Sequence, residues 1–386
     1  MHGERCVNQI LAHPTPAEKA LQLAFAAQEP ARSQTARFAE FNKTGLPHPR
    51  AENWRWTDLH AGIRNVLEGA QSTETTEGTV KLASAASVPF IGQSTDPISL
   101  LAAALSTDNN RQGFAITQTP NATLYLNTDN QSSLCGSQVS IEIASGCQVI
   151  LVENNTHADS GLSVDWRSFR IAPGASLTRI LVNPNQMQQT RINHTEVEIG
   201  EGGQYQQFIL DFGARMSRIE THIRATGSGT NVLLNGAYLL QGEARADSTS
   251  LIRHDYVEAK TRQLIKGVVL DQAQAVFQGK FHVAREGQQT DAKMGHHALL
   301  LSDNAKVQAK PDLEIYADDV ACAHGNTTGA LDESALFYMR QRGLPEVQAR
   351  ALLIRAFVCE VLDALPETDL ANELGAQIDN WLEQHI

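Results

Sequence analysis

The stretches IEIASGCQV (residues 141–149), FRIAPGASL (169–177) and VEIGEGGQY (197–205) share one pattern that decides the fold. In each, two apolar residues separated by a polar one lead into a turn with glycine, and an apolar or aromatic residue follows that glycine by three positions. A fourth glycine, Gly229, continues the series, and the intervals between successive glycines are 28, 28 and 27 residues. A fixed period of this length is typical of a solenoid, in which each coil buries its apolar face on the next.

The repeat predicts a mainly β fold, with a β-solenoid over residues 123 to 320. From Thr123 onwards apolar and polar residues alternate and glycines are frequent, as expected of strands joined by turns. We expect Val149, Leu177 and Tyr205 to stack in one ladder, because they occupy the same position in successive units. A β-sandwich with accidentally regular turns is the alternative, and the shared offsets favour the solenoid.

Three regions are predicted along the chain. They are an N-terminal helical region over residues 1–120, the solenoid core over 121–330 and a C-terminal helical region over 331–386. Residues 15–42 are rich in Ala, Leu, Gln, Glu and Arg and predict one or two helices. Residues 97–105 predict a further short, apolar helix.

The segment Glu52–Leu59 places two tryptophans on either side of an arginine. Such a group can stack on a planar ligand, but we favour the simpler role of an aromatic anchor that docks the N-terminal arm. Gly45–Pro49 is predicted to end the preceding helix. Residues 71–95, rich in Ser, Thr, Glu and Gly, are predicted to form a loop.

The C-terminal region is predicted to form two helices that pack on each other, because apolar stripes at helical spacing lie on either side of Pro366. A helix pair at the end of a solenoid is also a suitable docking surface for another chain. The first stripe consists of Val347, Ile354, Phe357, Val358, Val361, Leu362 and Leu365, and the second of Leu370, Leu374, Ile378, Trp381 and Leu382.

The composition, 42% apolar and 19% charged residues in a chain of 386, is that of an ordinary soluble protein with a large core. A net charge of −12 argues against nucleic acid or an anionic membrane as a partner. No apolar run approaches the roughly 20 residues of a membrane helix, and no signal-peptide pattern is present. Five cysteines without a C-x-x-C pair indicate neither a disulfide framework nor a one-chain zinc or cluster motif. We therefore expect a cytoplasmic protein with reduced thiols.

Residues 311–343, PDLEIYADDVACAHGNTTGALDESALFYMRQRG, carry the candidate chemistry of the chain. They predict a strand, a polar turn and a helix that begins at Asp332 and ends before Gly343. Cys322 and His324 lie two residues apart, so in an extended backbone their side chains project to the same face. A thiol beside an imidazole suggests a metal site or a nucleophile.

Motifs of self-sufficient enzymes are missing from the sequence. It contains no G-x-x-x-x-G-K-[ST] for ATP hydrolysis, no G-x-G-x-x-G after a strand, no G-x-S-x-G and no H-E-x-x-H. Cys322 and His324 remain as candidates, but two ligands on one strand cannot complete the coordination of a cluster. Either another chain brings the remaining ligands, or the two residues have a structural role only. The adjacent His296 and His297 would point to opposite faces of a strand and are interpreted as ordinary polar residues.

Residues 317–343, ADDVACAHGNTTGALDESALFYMRQRG, resemble the SufB/SufD scaffold family of iron–sulfur cluster assembly, which carries addV–CsHGaT–G–lD–lFYl–sRG in this order. QTDAKMGHHALLLS (289–302) resembles the family's Q-T-D-A…LLLS, and ENWRWTDL (52–59) its E-x-W-R-Y-T-D-L. The resemblance spans nearly the whole chain and is closer to SufD than to SufB, because the chain is short and SufB's extra cysteines are absent. The departures are CAHG, NTTG, MRQRG and Trp56, where CSHG, ATxG, LxSRG and tyrosine are common.

The resemblance implies a right-handed parallel β-helix and a non-catalytic scaffold subunit. It implies that His324 faces a cysteine of SufB, at an interface that holds a transient iron–sulfur cluster or iron, with none bound tightly to the isolated chain. Cys322 is the weaker ligand candidate, because the family's cysteine at this position has its clearest cluster role in the partner paralogue. SufB would bind the β-helix end near residues 313–330, and SufC, an ABC-type ATPase, would dock on the C-terminal helices and supply ATP hydrolysis. A homodimer is the alternative when the chain is alone.

Two other classes of protein stay open from the residues alone. A β-helix polysaccharide lyase or hydrolase would need clustered charged residues in an exposed groove, whereas Asp271, Asp291 and Asp312 are scattered along the chain. A structural adaptor would leave Cys322 and His324 inert. Turnover of polygalacturonate-like substrates tests the first class, and a pulldown separates partner binding from turnover.

Overall fold

Two sheets face each other and are joined coil by coil into a β-solenoid of about 8 turns, as predicted, with helices on either side in the chain. The computed structural model describes residues 14–48, 50–67, 78–83, 85–90, 92 and 94–386. In sheet order, the first sheet contains β1 (Thr79–Leu82), β4 (Leu124–Asn130), β6 (Gln148–His157), β8 (Ser176–Asn183), β10 (Gln204–Asp211), β12 (Asn231–Leu240), β14 (Lys260–Val269), β16 (Thr290–Leu300) and β18 (Val320–Gly329). The second contains β17 (Lys306–Ile315), β15 (Gln274–Val283), β13 (Arg245–His254), β11 (Ala214–Ala225), β9 (Gln186–Ile199), β7 (Ser160–Ile171), β5 (Leu134–Ile143), β3 (Arg111–Ile116) and β2 (Ala86–Val88).

The predicted glycine repeat is confirmed as the corner of successive coils. Val149 lies opposite Leu177, and Leu177 opposite Tyr205, in the parallel register of β6, β8 and β10. Gly146 and Gly174 have φ angles of 73° and 66°, a conformation that glycine adopts without a Cβ penalty. The amide of Gly146 donates to the carbonyl of Pro173 at 3.3 Å, and the amide of Gly174 donates to that of Glu201 at 2.9 Å. Each acceptor directly precedes the corner glycine of the next coil. These bonds tie each corner to the next and so help to fix the register of the strands.

The corner continues beyond the last glycine of the repeat, and the β structure begins before Thr123. Glu258 and Gln289 each take a φ of 60°, and both amides donate to the following coil as the glycines do.

The loop predicted over residues 71–95 is wrong where the structure describes these residues, because β1 and β2 lie within it and pair with β4 and β3. Pairing with a neighbouring strand outweighs the weak strand propensity of these short segments. Cys6 and residues 68–77 lie outside the described ranges.

The lumen between the sheets is apolar beside the glycine corner and carries a buried ionic network farther along the strands. Glu153 accepts hydrogen bonds from Arg167 at 3.0 Å and Arg179 at 2.5 Å, and all three side chains are 1% exposed. Asp165 lies 2.9 Å from His157 in the same network. Burial alone would raise the pKa of Glu153, but attraction by the two guanidinium groups outweighs it and holds that pKa below its ordinary value. The carboxylate is therefore ionised at neutral pH.

The N-terminal helices are α1 (Pro16–Ala27), α2 (Arg32–Thr44), α3 (Leu59–Leu67) and α4 (Pro97–Leu105). They pack on the outer face of the second sheet, where Val164 and Trp166 join their apolar cluster. Trp54 is 7% exposed, and the guanidinium carbon of Arg218 lies 3.9 Å from the centroid of its ring. Trp56 is 37% exposed. Trp54 is thus the tryptophan that docks this segment on the sheet.

A buried histidine with an elevated pKa lies on the same outer face. His194 is 0% exposed in its side chain, with Nε2 at 3.4 Å from Glu196 and Nδ1 at 3.9 Å from Glu220. Burial alone would lower its pKa, but the interactions with the two carboxylates outweigh burial and raise the pKa to about 10. His194 is therefore a cation in the folded protein at neutral pH.

The C-terminal helices are α5 (Glu333–Gln341), α6 (Glu346–Cys359) and α7 (Thr368–His385); α6 and α7 pack on the outer face of the first sheet, and α5 packs against α6. Ile354 and Val358 of the first predicted stripe, and Ile378 of the second, are fully buried in one cluster with side chains of that sheet. The stripes therefore cover the solenoid as well as each other. Val347 was assigned to the first stripe, but it is 60% exposed, and the buried part of that stripe begins at Ile354.

The two ends of the solenoid differ. The N-terminal end finishes in β1 and β2, short strands of 4 and 3 residues that run antiparallel to their neighbours. The C-terminal end finishes in β17 and β18, each of 10 residues. Among the described residues, no strand pairs with the outer edge of either, so the last coil is open.

Candidate functional site

Both predicted site residues lie on β18, the edge strand of the open end. Cys322 is opposite Ala292 and His324 is opposite Met294 in the parallel register with β16. Ala292 and Met294 face the lumen and are buried, so Cys322 and His324 lie in the same inward-facing row. The prediction that the two side chains project to one face is confirmed.

The polar turn predicted between Val320 and the helix is wrong. Residues Cys322 to Gly329 form most of β18, and the turn lies earlier, between β17 and β18. Full pairing with β16 holds these small polar residues extended, although they lack the apolar alternation of a buried strand. Asp332 caps α5 as predicted, since its Oδ1 accepts from the amides of Ser334 and Ala335.

The two side chains differ in exposure and acidity. Cys322 is half-buried against the apolar core, and this burial, with a smaller effect of Asp291, raises the pKa of its thiol above the ordinary value. At neutral pH the thiol is therefore protonated, and a metal must displace its proton to bind. His324 is exposed, so its imidazole is accessible from outside the chain. Of the two, His324 is the readier ligand.

Cys322 and His324 alone do not make a complete metal site within the described chain. No group of three or more His, Cys, Asp or Glu side chains there is placed to hold a metal ion. Cys135, Cys147, Cys322 and Cys359 are all free. Cys322 and His324 lie on an edge with open space in front of them, so additional ligands have room to approach from another chain.

The two adjacent histidines point to opposite faces of β16, as predicted. His296 is 0% exposed and faces the lumen, where its Nδ1 lies 2.7 Å from Oδ1 of Asn326. His297 faces outwards, with Nδ1 at 2.7 Å from Oγ1 of Thr327. The sequence interpretation of both as ordinary polar residues missed that His296 connects the core to the strand that carries His324. The available signal was its place two residues beyond Met294, in the inward row of a strand.

The three scattered carboxylates of the lyase alternative are not brought together. Asp271 is a corner residue with a φ of 54°. Asp291 faces outwards from the first sheet and pairs with Arg262 at 2.5 Å. Asp312 belongs to the second sheet and lies 3.9 Å from Lys280. These groups therefore form no common catalytic cleft.

Four large apolar side chains are exposed on the C-terminal helices. Phe337 and Tyr338 of α5 are 63% and 59% exposed, and Val347 and Leu352 of α6 are 60% and 46% exposed. We call these four side chains the α5–α6 patch. Apart from Val347, its members lie outside the two predicted stripes, which are largely buried on the first sheet. None of the helices in the described ranges is long and apolar enough to cross a bilayer.

The fold and the site together define a class of protein. The solenoid presents an open coil with a thiol and an imidazole on an unpaired edge, and helices pack on both of its sheets. This is the architecture of a scaffold that receives ligands or another chain at its end.

Comparison with known families identifies the scaffold. The model for the SufBD core domain of the SUF system of FeS cluster assembly matches residues 125–357, which is more than half of the chain. The chain therefore belongs to the SufBD family, and within it resembles SufD, as predicted. Its family is one of scaffold components for iron–sulfur cluster assembly.

Individual relatives support this assignment. The chain is 28% identical over 244 residues to the iron–sulfur cluster assembly protein SufD of Escherichia coli, a match that covers 63% of this chain and 58% of the relative. It is 33% identical over 204 residues to a SufBD family protein of Synechocystis, covering 53% of this chain and 45% of the relative. A SufBD family protein of Mycobacterium bovis is 24% identical over 370 residues, covering 90% and 92%. The first two matches thus span only about half of those relatives.

Proposed function

We propose that the chain is a SufD-like subunit of a SufBCD scaffold and supports iron acquisition and cluster formation at its interface with SufB. The observation that carries this proposal is the open C-terminal coil, whose unpaired edge holds Cys322 and His324. A long unpaired strand is a template for pairing with another chain. A partner that continues the two sheets would cover both side chains and add its own ligands beside them.

The chemistry of the two donors fits an iron–sulfur cluster or its iron as cargo. Iron–sulfur clusters are bound mainly by cysteine thiolates, and histidine can replace some of them. His324 offers an accessible imidazole, whereas Cys322 must first lose a proton that its burial stabilises. We therefore assign the main ligand role in this chain to His324 and expect thiolates from the partner.

The C-terminal helices are the proposed docking site of the ATPase subunit SufC. The α5–α6 patch is the exposed apolar surface of this region, and burial of such a surface stabilises a complex. ATP hydrolysis would come from that partner, since this chain lacks a phosphate-binding loop. In the absence of SufB, the open coil of one copy could pair with that of a second copy.

The ligand role of His324 is tested by replacing it with alanine in a complex with the SufB paralogue and SufC. Because His324 is exposed, His324→Ala should leave subunit assembly intact while iron and acid-labile sulfide per complex fall several-fold. Cys322→Ala should have a smaller effect. The measurement is iron and sulfide per purified complex after anaerobic assembly.

The matched control is His297→Ala on the neighbouring strand. His297 points outwards and bonds Thr327, so its loss removes an imidazole close to the site without removing a proposed ligand. Complexes of His297→Ala should hold the wild-type amount of cluster. A normal cluster content in His324→Ala would show that the residue is not a ligand, and a His324→Ala chain that does not assemble would make it an interface residue instead.

A further inference from the structure

The inward row of the open coil contains a third side chain, Asn326. It follows His324 by two residues and is exposed, and its register partner on β16 is the buried His296. Nδ1 of His296 lies 2.7 Å from Oδ1 of Asn326. One end of the Asn326 amide is therefore held from inside the solenoid, beside the exposed His324.

His296 is itself held on two sides by core side chains. Its ring stacks on Phe277, with centroids 4.5 Å apart and planes within 5°. The hydroxyl of Tyr238, on β12, lies 2.9 Å from Nε2. Tyr238 reaches this nitrogen across β14 by lying over its register partner Gly267, where a Cβ atom would lie 2.1 Å from the tyrosine ring. The imidazole consequently has a fixed plane and a fixed partner on each nitrogen.

The direction of the hydrogen bonds follows from the protonation states. Burial lowers the pKa of His296 to about 4, so the ring is neutral and carries a single N–H. Burial raises the pKa of Tyr238, so its hydroxyl keeps its proton. Within the described chain His296 is the hydrogen-bond partner of that hydroxyl. An amide oxygen, which can only accept, lies at Nδ1, so the ring proton lies on Nδ1 and is donated to Asn326, and Nε2 accepts from the hydroxyl of Tyr238.

We propose that Asn326 is a binding residue of the open coil, whose side-chain NH2 group donates hydrogen bonds to a sulfur anion, a sulfide or a thiolate, held beside His324. The chain Tyr238–His296–Asn326 engages the amide oxygen and leaves the two N–H donors for the ligand. With its oxygen engaged, Asn326 is a poor ligand for a hard cation. Hydrogen bonds to sulfur are one of the factors that set the reduction potential of a cluster. The identity of the ligand rests on the proposed function, whereas the orientation of the amide does not.

The orientation is tested on the isolated chain, without any cluster. In protein labelled with 15N-histidine, the ring nitrogens of His296 should report a neutral imidazole protonated at Nδ1 between pH 8 and 5. His296→Phe, which preserves an aromatic ring, identifies the resonance. Tyr238→Phe should change the tautomer signal of His296, whereas Tyr205→Phe, which removes another buried hydroxyl of the lumen, should not. A wild-type ring protonated at Nε2 would turn the amide oxygen towards the ligand and overturn the proposal.

The ligand is tested in the complex with the SufB paralogue. Asn326→Ala removes the donors, and Asn326→Asp keeps the acceptor for His296 while adding a negative charge. Both should lower the reduction potential of the cluster or reduce its amount, with a larger effect for the aspartate. Thr327→Ala is the control, since it breaks the equivalent bond to His297 on the outer side of the same strand.

The outcomes separate the two proposals. Wild-type potential and cluster content in both Asn326 variants would overturn the binding role of Asn326 even if His324→Ala had lost its cluster. Conversely, a wild-type complex without cluster would refute the proposed function and with it the sulfur ligand, while the tautomer of His296 would still decide how the amide is oriented.

Discussion

Replacing Glu153 tests how much the buried ionic network of the lumen contributes to stability. Glu153 is 1% exposed and is the shared partner of Arg167 and Arg179. Glu153→Ala would leave two buried guanidinium groups without their carboxylate, and breaking a buried pair in this way costs about 3–5 kcal/mol. For a large domain, each kcal/mol lowers the melting temperature by about 2 °C. We therefore expect Glu153→Ala to lower it by about 6–10 °C.

The chain offers a matched control on its surface. Glu198 is also paired with two arginines, Arg170 at 3.4 Å and Arg224 at 3.2 Å, but it is 43% exposed. An exposed ion pair contributes about 0.2–1 kcal/mol, so Glu198→Ala should lower the melting temperature by about 2 °C or less. Glu153→Gln, which preserves volume and removes only the charge, separates the electrostatic loss from the cavity.

The assay is thermal unfolding followed by circular dichroism at pH 7, in low and in high salt. Salt should reduce the effect of Glu198→Ala, because exposed charges are screened, and should leave the effect of Glu153→Ala nearly unchanged. Equal losses in the two variants would refute the reasoning, since they would show that burial adds nothing to the interaction. A harmless Glu153→Gln with a harmful Glu153→Ala would assign the loss to packing alone.

Three further predictions concern pH, the corners and the docking patch. The cationic form of His194 contributes stability that is present below about pH 6.5 and lost as the pH rises through about 10, so His194→Gln should flatten the alkaline fall of the melting temperature. Gly174→Ala should lower the free energy of unfolding by about 1–2 kcal/mol, because the residue has a φ of 66°. Gly325→Ala, at a position with open space around it and without a positive φ, should leave the free energy of unfolding nearly unchanged in a denaturation series. Phe337→Ser should weaken co-purification of SufC without a change in melting temperature, whereas Leu23→Ser, at an apolar residue of α1 that is 74% exposed, should leave co-purification unchanged. Unchanged binding in both variants would place the ATPase elsewhere.

The solenoid could be predicted from the sequence where the geometry of its corners favours one residue type, glycine. Each early corner needs a positive φ, and glycine meets that need, so Gly146 and Gly174 mark the period visibly. Later coils make the same corner with Glu258 and Gln289, and there the marker disappears although the geometry continues. The strain of a non-glycine residue at such a corner is offset by the hydrogen bonds of the surrounding coils, which a local pattern does not reveal.

The placement of the two candidate residues could be predicted from the sequence for a similar reason. Alternation along an extended backbone placed Cys322 and His324 on one face, and the structure agrees. The segment itself was interpreted as a turn, because an edge strand at an open end lacks the alternating apolar residues by which a buried strand is recognised in a sequence. The role of His296 was missed because it depends on Tyr238, 58 residues away in sequence and two strands away in the sheet.

The difference between the two ends of the solenoid limits how many copies can join. In the language of polymer chemistry, a monomer with two reactive ends grows into a chain, whereas a monomer with one reactive end stops at a pair. Within the described residues, the long edges of β17 and β18 form one extended open end, whereas the other end finishes in the short antiparallel strands β1 and β2, which offer little edge to a parallel coil. Two solenoids that met through their open coils would therefore terminate each other, and the product would be a discrete dimer rather than a fibre.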